Sequence, residues 1–142
     1  MKTVFYTLQR LQEQEKKEKQ RRLAEAESLR RAEEEELMKL TESLLHEGKN
    51  VPMTAGDTIL HDQLLLKRTF EVSMCEQRLE EKEEVVELCQ DELMVARQKT
   101  RIMEEIILSM ESKEALERKR RQGKITDEIG IVSWFRNQVG DF

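Results

Sequence analysis

Apolar residues recur at alternating steps of three and four along one long stretch, from Leu65 to Met110. Only Arg68, Lys82 and Thr100 break this stripe, and neither Gly nor Pro interrupts the stretch. An apolar period of about 3.5 residues is typical of a helix that winds around another helix. We therefore expect one long α-helix here, with its stripe facing a helical partner. The stripe consists of Leu65, Arg68, Val72, Cys75, Leu79, Lys82, Val86, Cys89, Leu93, Ala96, Thr100, Met103, Ile107 and Met110.

A shorter helix is predicted upstream, over about residues 3–46. Its apolar residues follow two heptad frames that do not join in phase. A change of frame predicts a discontinuity in packing, here near residues 14–21. The first frame contains Val4, Leu8 and Leu11, and the second contains Leu23, Ala26, Leu37, Leu40 and Leu44.

Helix-breaking residues separate the two predicted helices, so we expect a loop over about residues 47–56. Gly48 suits the left-handed position that follows a helix C-terminus, and Pro52 cannot continue a helix. Asp57 is then the expected N-cap of the second helix, with Thr54 as the alternative. This helix is predicted over about residues 58–122, and the break at Gly123 begins a C-terminal tail, residues 123–142, that is helical or partly disordered.

The fold class predicted from this pattern is all-α, an antiparallel two-helix coiled-coil hairpin over residues 1–122. Folding the chain about Pro52 places the basic residues of segment 16–22 opposite the acidic residues of segment 80–87. It also places the acidic segment 33–36 opposite Lys67 and Arg68. A parallel dimer in register would instead bring like charges together, and charge pairing selects partner and orientation in coiled coils.

This folding leaves part of the second helix without a partner, because the first helix ends opposite about Arg101. The uncovered residues are then apolar, which on a protein surface usually marks an interaction site. The alternative is that the tail folds back and covers them. These residues are Ile102, Met103, Ile106, Ile107, Leu108 and Met110.

The composition of the chain excludes several classes of function. Charged residues make up 39% of the chain, aromatic residues 4%, and the net charge is −5, which favours a long helix and disfavours nucleic-acid binding. There is no apolar segment long enough to span a bilayer and no apolar leader, so a cytoplasmic protein is expected. We find no phosphate loop, nucleophile elbow or metal-ligand spacing, and predict no enzyme, no cofactor and no metal site. Cys75 and Cys89 lie two heptads apart on one helix, too far apart for a disulfide.

Three short segments, 5–11 (FYTLQRL), 53–56 (MTAG) and 126–130 (TDEIG), resemble the FliJ and YscO family of flagellar and injectisome type III export apparatus. Segment 5–11 is similar to the family's opening, and segment 53–56 looks like its turn between helices. Segment 126–130 is similar to an acidic step that follows a basic run in these proteins.

The resemblance implies a non-enzymatic stalk that inserts into a hexameric export ATPase and stimulates it. It also implies links to export chaperones and to the cytoplasmic domain of the export gate membrane protein, so that the protein reaches the inner membrane only through partners. Leu64 matches the position of the gate contact, whereas Arg68, Glu71 and Cys75 depart from the family's character there. The end seated in the ATPase would comprise Phe5, Leu8, Leu11, Ile102, Ile106, Met110, Arg118, Arg120 and Arg121. A structural coiled coil that self-associates through residues 102–110 and the tail is the alternative function.

Overall fold

Two α-helices joined by a short connection make up the protein. A computed structural model describes residues 2–50 and 52–140, in which helix α1 spans Lys2–Lys49 and helix α2 spans Ala55–Gly140. The helices pack against each other in antiparallel directions, and no strand occurs in the described ranges. The predicted all-α hairpin with a longer second helix is confirmed. Neither helix combines the length and apolar character needed to cross a membrane over the residues described.

The hairpin divides into two compact units. Unit 1 consists of Met1–Leu11 and Lys99–Phe142, and unit 2 consists of Gln12–Gln98. Each unit therefore contains one segment of α1 and one segment of α2.

The predicted stripe of α2 forms the helix–helix contact of unit 2. Each stripe position from Leu65 to Ala96 is buried or half-buried. Leu93 and Ala96 retain only 3% and 4% of their accessible surface, and Cys75 retains none. Burial of this apolar surface, at about 25 cal/mol per Å², is the main stabilising contribution to the pairing.

The α1 residues that face this stripe in unit 2 are polar at the beginning of the segment: Gln12, Lys16 and Lys19. Half-buried or buried residues recur at steps of three and four without a change of frame, so the packing discontinuity predicted near residues 14–21 does not occur. The line of contact between the two helices, which we call the seam, instead continues through long polar side chains. Their methylene groups can cover apolar surface while their polar end groups reach water. The α1 seam of unit 2 contains Gln12, Lys16, Lys19, Leu23, Ala26, Arg30, Glu33, Leu37, Leu40, Leu44 and Glu47.

The connection between the helices is shorter than predicted. α1 continues through Gly48, and no described glycine has a positive φ angle, so Gly48 does not end the helix in a left-handed conformation. Thr54 caps α2, because its Oγ1 accepts a hydrogen bond from the backbone N–H of Asp57 at 3.1 Å. Asp57 lies in the first turn, where its negative charge suits the helix dipole.

Opposite charges meet across unit 2, but in a register displaced by about one heptad from the predicted one. Lys19 contacts Glu92 at 3.1 Å, beyond the acidic segment 80–87 that we expected it to face. Glu33 contacts Arg78 at 3.5 Å, whereas Arg68 contacts Glu47 at 3.3 Å. The predicted folding assumed that pairing begins at the loop, but residues 53–60 are exposed and α2 joins the seam only near residue 61.

The predicted break at Gly123 does not end the helix. α2 runs through it to Gly140, and the two last residues of the predicted tail, 141 and 142, lie outside the described residues. The tail does not fold back over residues 102–110: it continues α2, and every residue whose burial is described from 115 to 139 is exposed.

Candidate partner-binding surface

In unit 1, the first three turns of α1 pack on the part of α2 that includes residues 99–114. Thr100, Met103 and Ile107 are buried, with 3%, 9% and 5% of their surface exposed. The prediction that the partner helix ends opposite Arg101, leaving Met103 and Ile107 uncovered, is therefore wrong. Lys2 and Tyr6 contact Glu114 and Glu111, so α1 extends past both residues and covers them.

Polar contacts between the two helices fix the pairing in unit 1. Lys2 forms an ion pair with Glu114, and the hydroxyl of Tyr6 donates a hydrogen bond to the carboxylate of Glu111. That hydrogen bond raises the pKa of Tyr6, with smaller contributions from desolvation and from the negative charges of Glu111 and Glu114. Partner numbers fall along α2 as they rise along α1, as antiparallel packing requires.

One side of unit 1 carries five exposed apolar side chains, which we call the apolar face: Val4, Leu8, Leu11, Ile102 and Ile106. Their exposed fractions lie between 39% and 60%. Each residue immediately precedes a seam position. In two antiparallel helices, the positions that precede the seam lie on the same side of the pair, because each right-handed helix turns in the same sense relative to its own direction. Residues from the start of α1 and from the middle of α2 thus form one surface.

The positions that follow the seam form a more polar side of unit 1. They carry Arg10, Arg101, Glu104 and Glu111, together with Tyr6, which is 41% exposed, and Leu108, which is 63% exposed. Within the paired part of unit 1, residues 2–11 and 99–114, most of the exposed aliphatic side chains therefore lie on one side of the helix pair.

Four consecutive basic residues, 118–121, follow the last ion pair between the helices and are all exposed; we call them the basic stretch. Arg118 and Arg121 line a shallow polar groove with Lys2, Glu114 and Glu117. The basic stretch and the apolar face belong to the same unit, so unit 1 offers both apolar contact area and positive charge.

Phe5 and Met110 differ from the other predicted site residues in unit 1. Both are half-buried at seam positions, so they contribute to the pairing of the helices. Leu8, Leu11, Ile102 and Ile106 lie on the apolar face, and Arg118, Arg120 and Arg121 are exposed. Val4 was not predicted as a site residue. The sequence signal that could have identified it is its position directly before the seam residue Phe5, which is the position that the other residues of the apolar face share.

Leu64, the predicted gate contact, lies in unit 2 near the beginning of α2. It is 38% exposed and precedes the seam residue Leu65. Other exposed apolar residues occur near it in the sequence: Ile59, Leu60, Leu66 and Phe70, each more than 60% exposed. Arg68 is held by Glu47 and Glu71, so its guanidinium is already engaged within the hairpin.

A thiol and two carboxylates approach each other in unit 2, with ligand atoms of Glu33, Glu36 and Cys75 within 4.8 Å of one another. Burial raises the pKa of the Cys75 thiol, which keeps it protonated, whereas a metal ligand must be the thiolate. Arg78 contacts both Glu33 and Glu36, so their charge already has a partner. Because Arg78 and Cys75 lie on α2 and the two carboxylates on α1, the cluster links the two helices of unit 2.

Comparisons with models of known families, with curated proteins and with solved structures find no match to this chain.

Proposed function

We propose that the protein is a non-enzymatic coupling protein of a type III export system, which binds and stimulates a hexameric export ATPase. The apolar face of unit 1 is the observation that carries this proposal. Two predicted ATPase contacts from the start of the chain, Leu8 and Leu11, share this surface with two from α2, Ile102 and Ile106.

The chemistry of unit 1 suits a protein partner. An apolar surface formed by both helices remains exposed after the hairpin has folded, and such surfaces mark interaction sites when they are concentrated on one side. The basic stretch of the same unit attracts an acidic partner surface and accelerates encounter more than it adds affinity. Arg118, Arg120 and Arg121 accordingly orient the hairpin, while the apolar face supplies the contact area.

Coupling follows from symmetry. A two-helix hairpin has different surfaces on its two sides, so it cannot make the same contacts with every subunit of a ring. A ligand that binds one subunit conformation better than another shifts the populations of both. One bound hairpin therefore makes the subunits inequivalent and favours hydrolysis at some of them.

On this proposal the protein is cytoplasmic and reaches the inner membrane through its partners. The beginning of α2, with Leu64 exposed at 38%, contacts the cytoplasmic domain of the export gate protein. The resemblance described above is the basis for the gate and for the export chaperones as partners.

The test is the effect of the purified protein on its cognate export ATPase. Wild-type protein should raise the hydrolysis rate or promote ring formation, and Ile106→Asp should weaken binding at least about tenfold, which corresponds to about 1.4 kcal/mol. Leu108→Asp, on the other side of unit 1, is the matched control and should retain the effect. Circular dichroism should show an intact helix pair in both variants.

No change in hydrolysis or ring formation with wild-type protein would remove this proposal. Equal loss in Ile106→Asp and Leu108→Asp would show that the apolar face is not the contact. The remaining candidate is a self-associating structural protein, which is favoured by the exposed apolar residues near the end of α2.

A further inference from the structure

The first turns of α1, residues 2–11, cover part of α2 in unit 1; we call this segment the strap. Beneath it, Ile107 retains 5% of its accessible surface and Met110 is half-buried. Ile106, the neighbour of Ile107 in the sequence, is 39% exposed on the apolar face. Removal of the strap would therefore add apolar side chains to a surface of α2 that is already apolar.

The strap covers this surface mainly with polar side chains. Tyr6 contacts Glu111, and partner numbers fall along α2 as they rise along α1. The seam residue Gln9 therefore lies opposite Ile107, and Phe5 is the one apolar seam residue of the strap and is half-buried. An amphipathic helix normally buries its most apolar stripe, but the three aliphatic side chains of the strap lie on the apolar face, 40–60% exposed: Val4, Leu8 and Leu11.

Two polar contacts hold the strap in this orientation. Lys2 forms an ion pair with Glu114, and the hydroxyl of Tyr6 donates a hydrogen bond to the carboxylate of Glu111. Both contacts are open to solvent, since the side chains of Lys2 and Glu114 retain 44% and 40% of their surface and Tyr6 is 41% exposed. Exposed ion pairs contribute little to stability, so one aromatic ring and two weak contacts hold the strap on α2.

The α1 seam of unit 2 is more apolar than that of the strap. Ala26 is 6% exposed there, and Val86, at a seam position of α2, is 8% exposed. Because burial of apolar surface is the main stabilising contribution to helix pairing, this contact should open much less often than the strap. The apolar α1 residues of this seam are Leu23, Ala26, Leu37, Leu40 and Leu44.

We propose that the strap is a releasable cover that controls the apolar face. It exchanges between the docked state and an open state in which residues 2–11 leave α2, while the helix contact of unit 2 stays intact. So short a segment does not keep a stable helix by itself, so release removes the aliphatic side chains of the strap from the apolar face together. In the open state Ile107 and Met110 join Ile106 on α2 instead. The two states thus present different surfaces to a partner.

On the function proposed above, the docked state binds the export ATPase, because only this state assembles the whole apolar face. Contacts that hold the strap on α2 then favour the complex, and the bound ATPase in turn favours the docked strap. Control of binding rests on the proposed function, whereas release of the strap does not, so the two are measured separately.

Thiol labelling measures release without the ATPase. In the full chain with Cys75 and Cys89 replaced by Ala, Ile107→Cys places a thiol beneath the strap. Val86→Cys places one in the seam of unit 2 and is the matched control. A water-soluble disulfide reagent reaches a buried thiol only when its cover opens. The thiol at position 107 should therefore react at least about tenfold faster than the thiol at position 86.

Two variants move the strap in opposite directions. Glu111→Ala removes the acceptor of the Tyr6 hydrogen bond and should speed labelling at position 107 roughly threefold or more. Gln9→Leu places an apolar side chain opposite Ile107 and should slow labelling by a similar factor. Glu104→Ala removes a carboxylate from the same side of α2 that has no contact with α1 among the described residues, and it should leave the rate unchanged.

Equal labelling rates at positions 107 and 86, or equal effects of Glu111→Ala and Glu104→Ala, would overturn release of the strap. Affinity for the cognate ATPase tests control of binding: Gln9→Leu should bind at least as tightly as wild type, and Glu111→Ala roughly threefold more weakly. Shifts in labelling without shifts in affinity would overturn that control. Failure of the wild-type protein to bind the ATPase would remove the proposed function, and the labelling rates would still decide whether the strap opens.

Discussion

At the scale of single residues, position relative to the seam decides what each side chain does. Ile106 and Ile107 are neighbours of the same type, yet Ile107 is 5% exposed in the helix contact and Ile106 is 39% exposed on the apolar face. Cys75 and Thr100 are likewise buried because of position. The period alone placed Met103 and Ile107, but not Ile102 and Ile106, on the stripe. It could not show that α1 reaches far enough along α2 to cover the stripe there, because that depends on the register.

Tyr6 provides a residue-scale prediction, because it is the only tyrosine in the chain. Its hydrogen bond to Glu111 raises its pKa, so the protonated phenol is favoured in the folded state. Absorbance titration should therefore give a pKa above the usual value of about 10, and Glu111→Ala should bring it back towards that value.

The same shift fixes how this contact depends on pH. The hydrogen bond between Tyr6 and Glu111 contributes fully below the ordinary pKa of tyrosine and is lost as pH rises through the raised value in the folded protein. A titration identical in wild type and Glu111→Ala would show that the contact does not form in solution.

At the scale of the helices, α1 and α2 contribute unequally to their contact. The α2 seam is mostly apolar, whereas α1 places Gln12, Lys16 and Lys19 in the seam of unit 2. Gln12 Oε1 is buried without a hydrogen-bond partner among the described residues. Polar seam positions reduce stability but restrict register and partner choice. The ion pair between Lys19 and Glu92 is one such restriction.

Replacing a polar seam residue should therefore stabilise unit 2. Lys16→Leu places an apolar side chain at a half-buried seam position and should raise the free energy of unfolding by about 1 kcal/mol. Urea unfolding followed by circular dichroism measures this change. The exposed neighbour Lys17 supplies the control, because Lys17→Leu should change stability by less than about 0.5 kcal/mol. A loss of stability in Lys16→Leu would mean that its ammonium group makes a favourable contact.

At the scale of the whole molecule, helix number and direction were predictable but register was not. The heptad stripe of α2 and the breakers near Pro52 are visible in the sequence, and charge distinguished antiparallel from parallel pairing. Register was ambiguous because sliding one helix by a heptad keeps apolar against apolar, and Lys19 finds an acidic residue in either position. The apolar face depends on that register, which is why residues 102–110 were predicted to be uncovered as a block.

Distances between spin labels can decide the register directly. Gln20 and Gln90 are exposed and directly follow the seam residues Lys19 and Cys89, so labels there lie on one side of unit 2. With Cys75 and Cys89 replaced by Ala, and labelled protein diluted into unlabelled protein, the labels should lie within about 20 Å, given helix axes 8–10 Å apart. Glu83, one heptad before Gln90, is the control position and should give the longer distance from Gln20, because a heptad spans about 10 Å along a helix.

The reverse order would restore the register predicted from charge alone, and in that register α1 would end too early along α2 to bury Met103 and Ile107. A parallel dimer would give neither distance, since Gln20 and Gln90 would then lie roughly 100 Å apart on one chain.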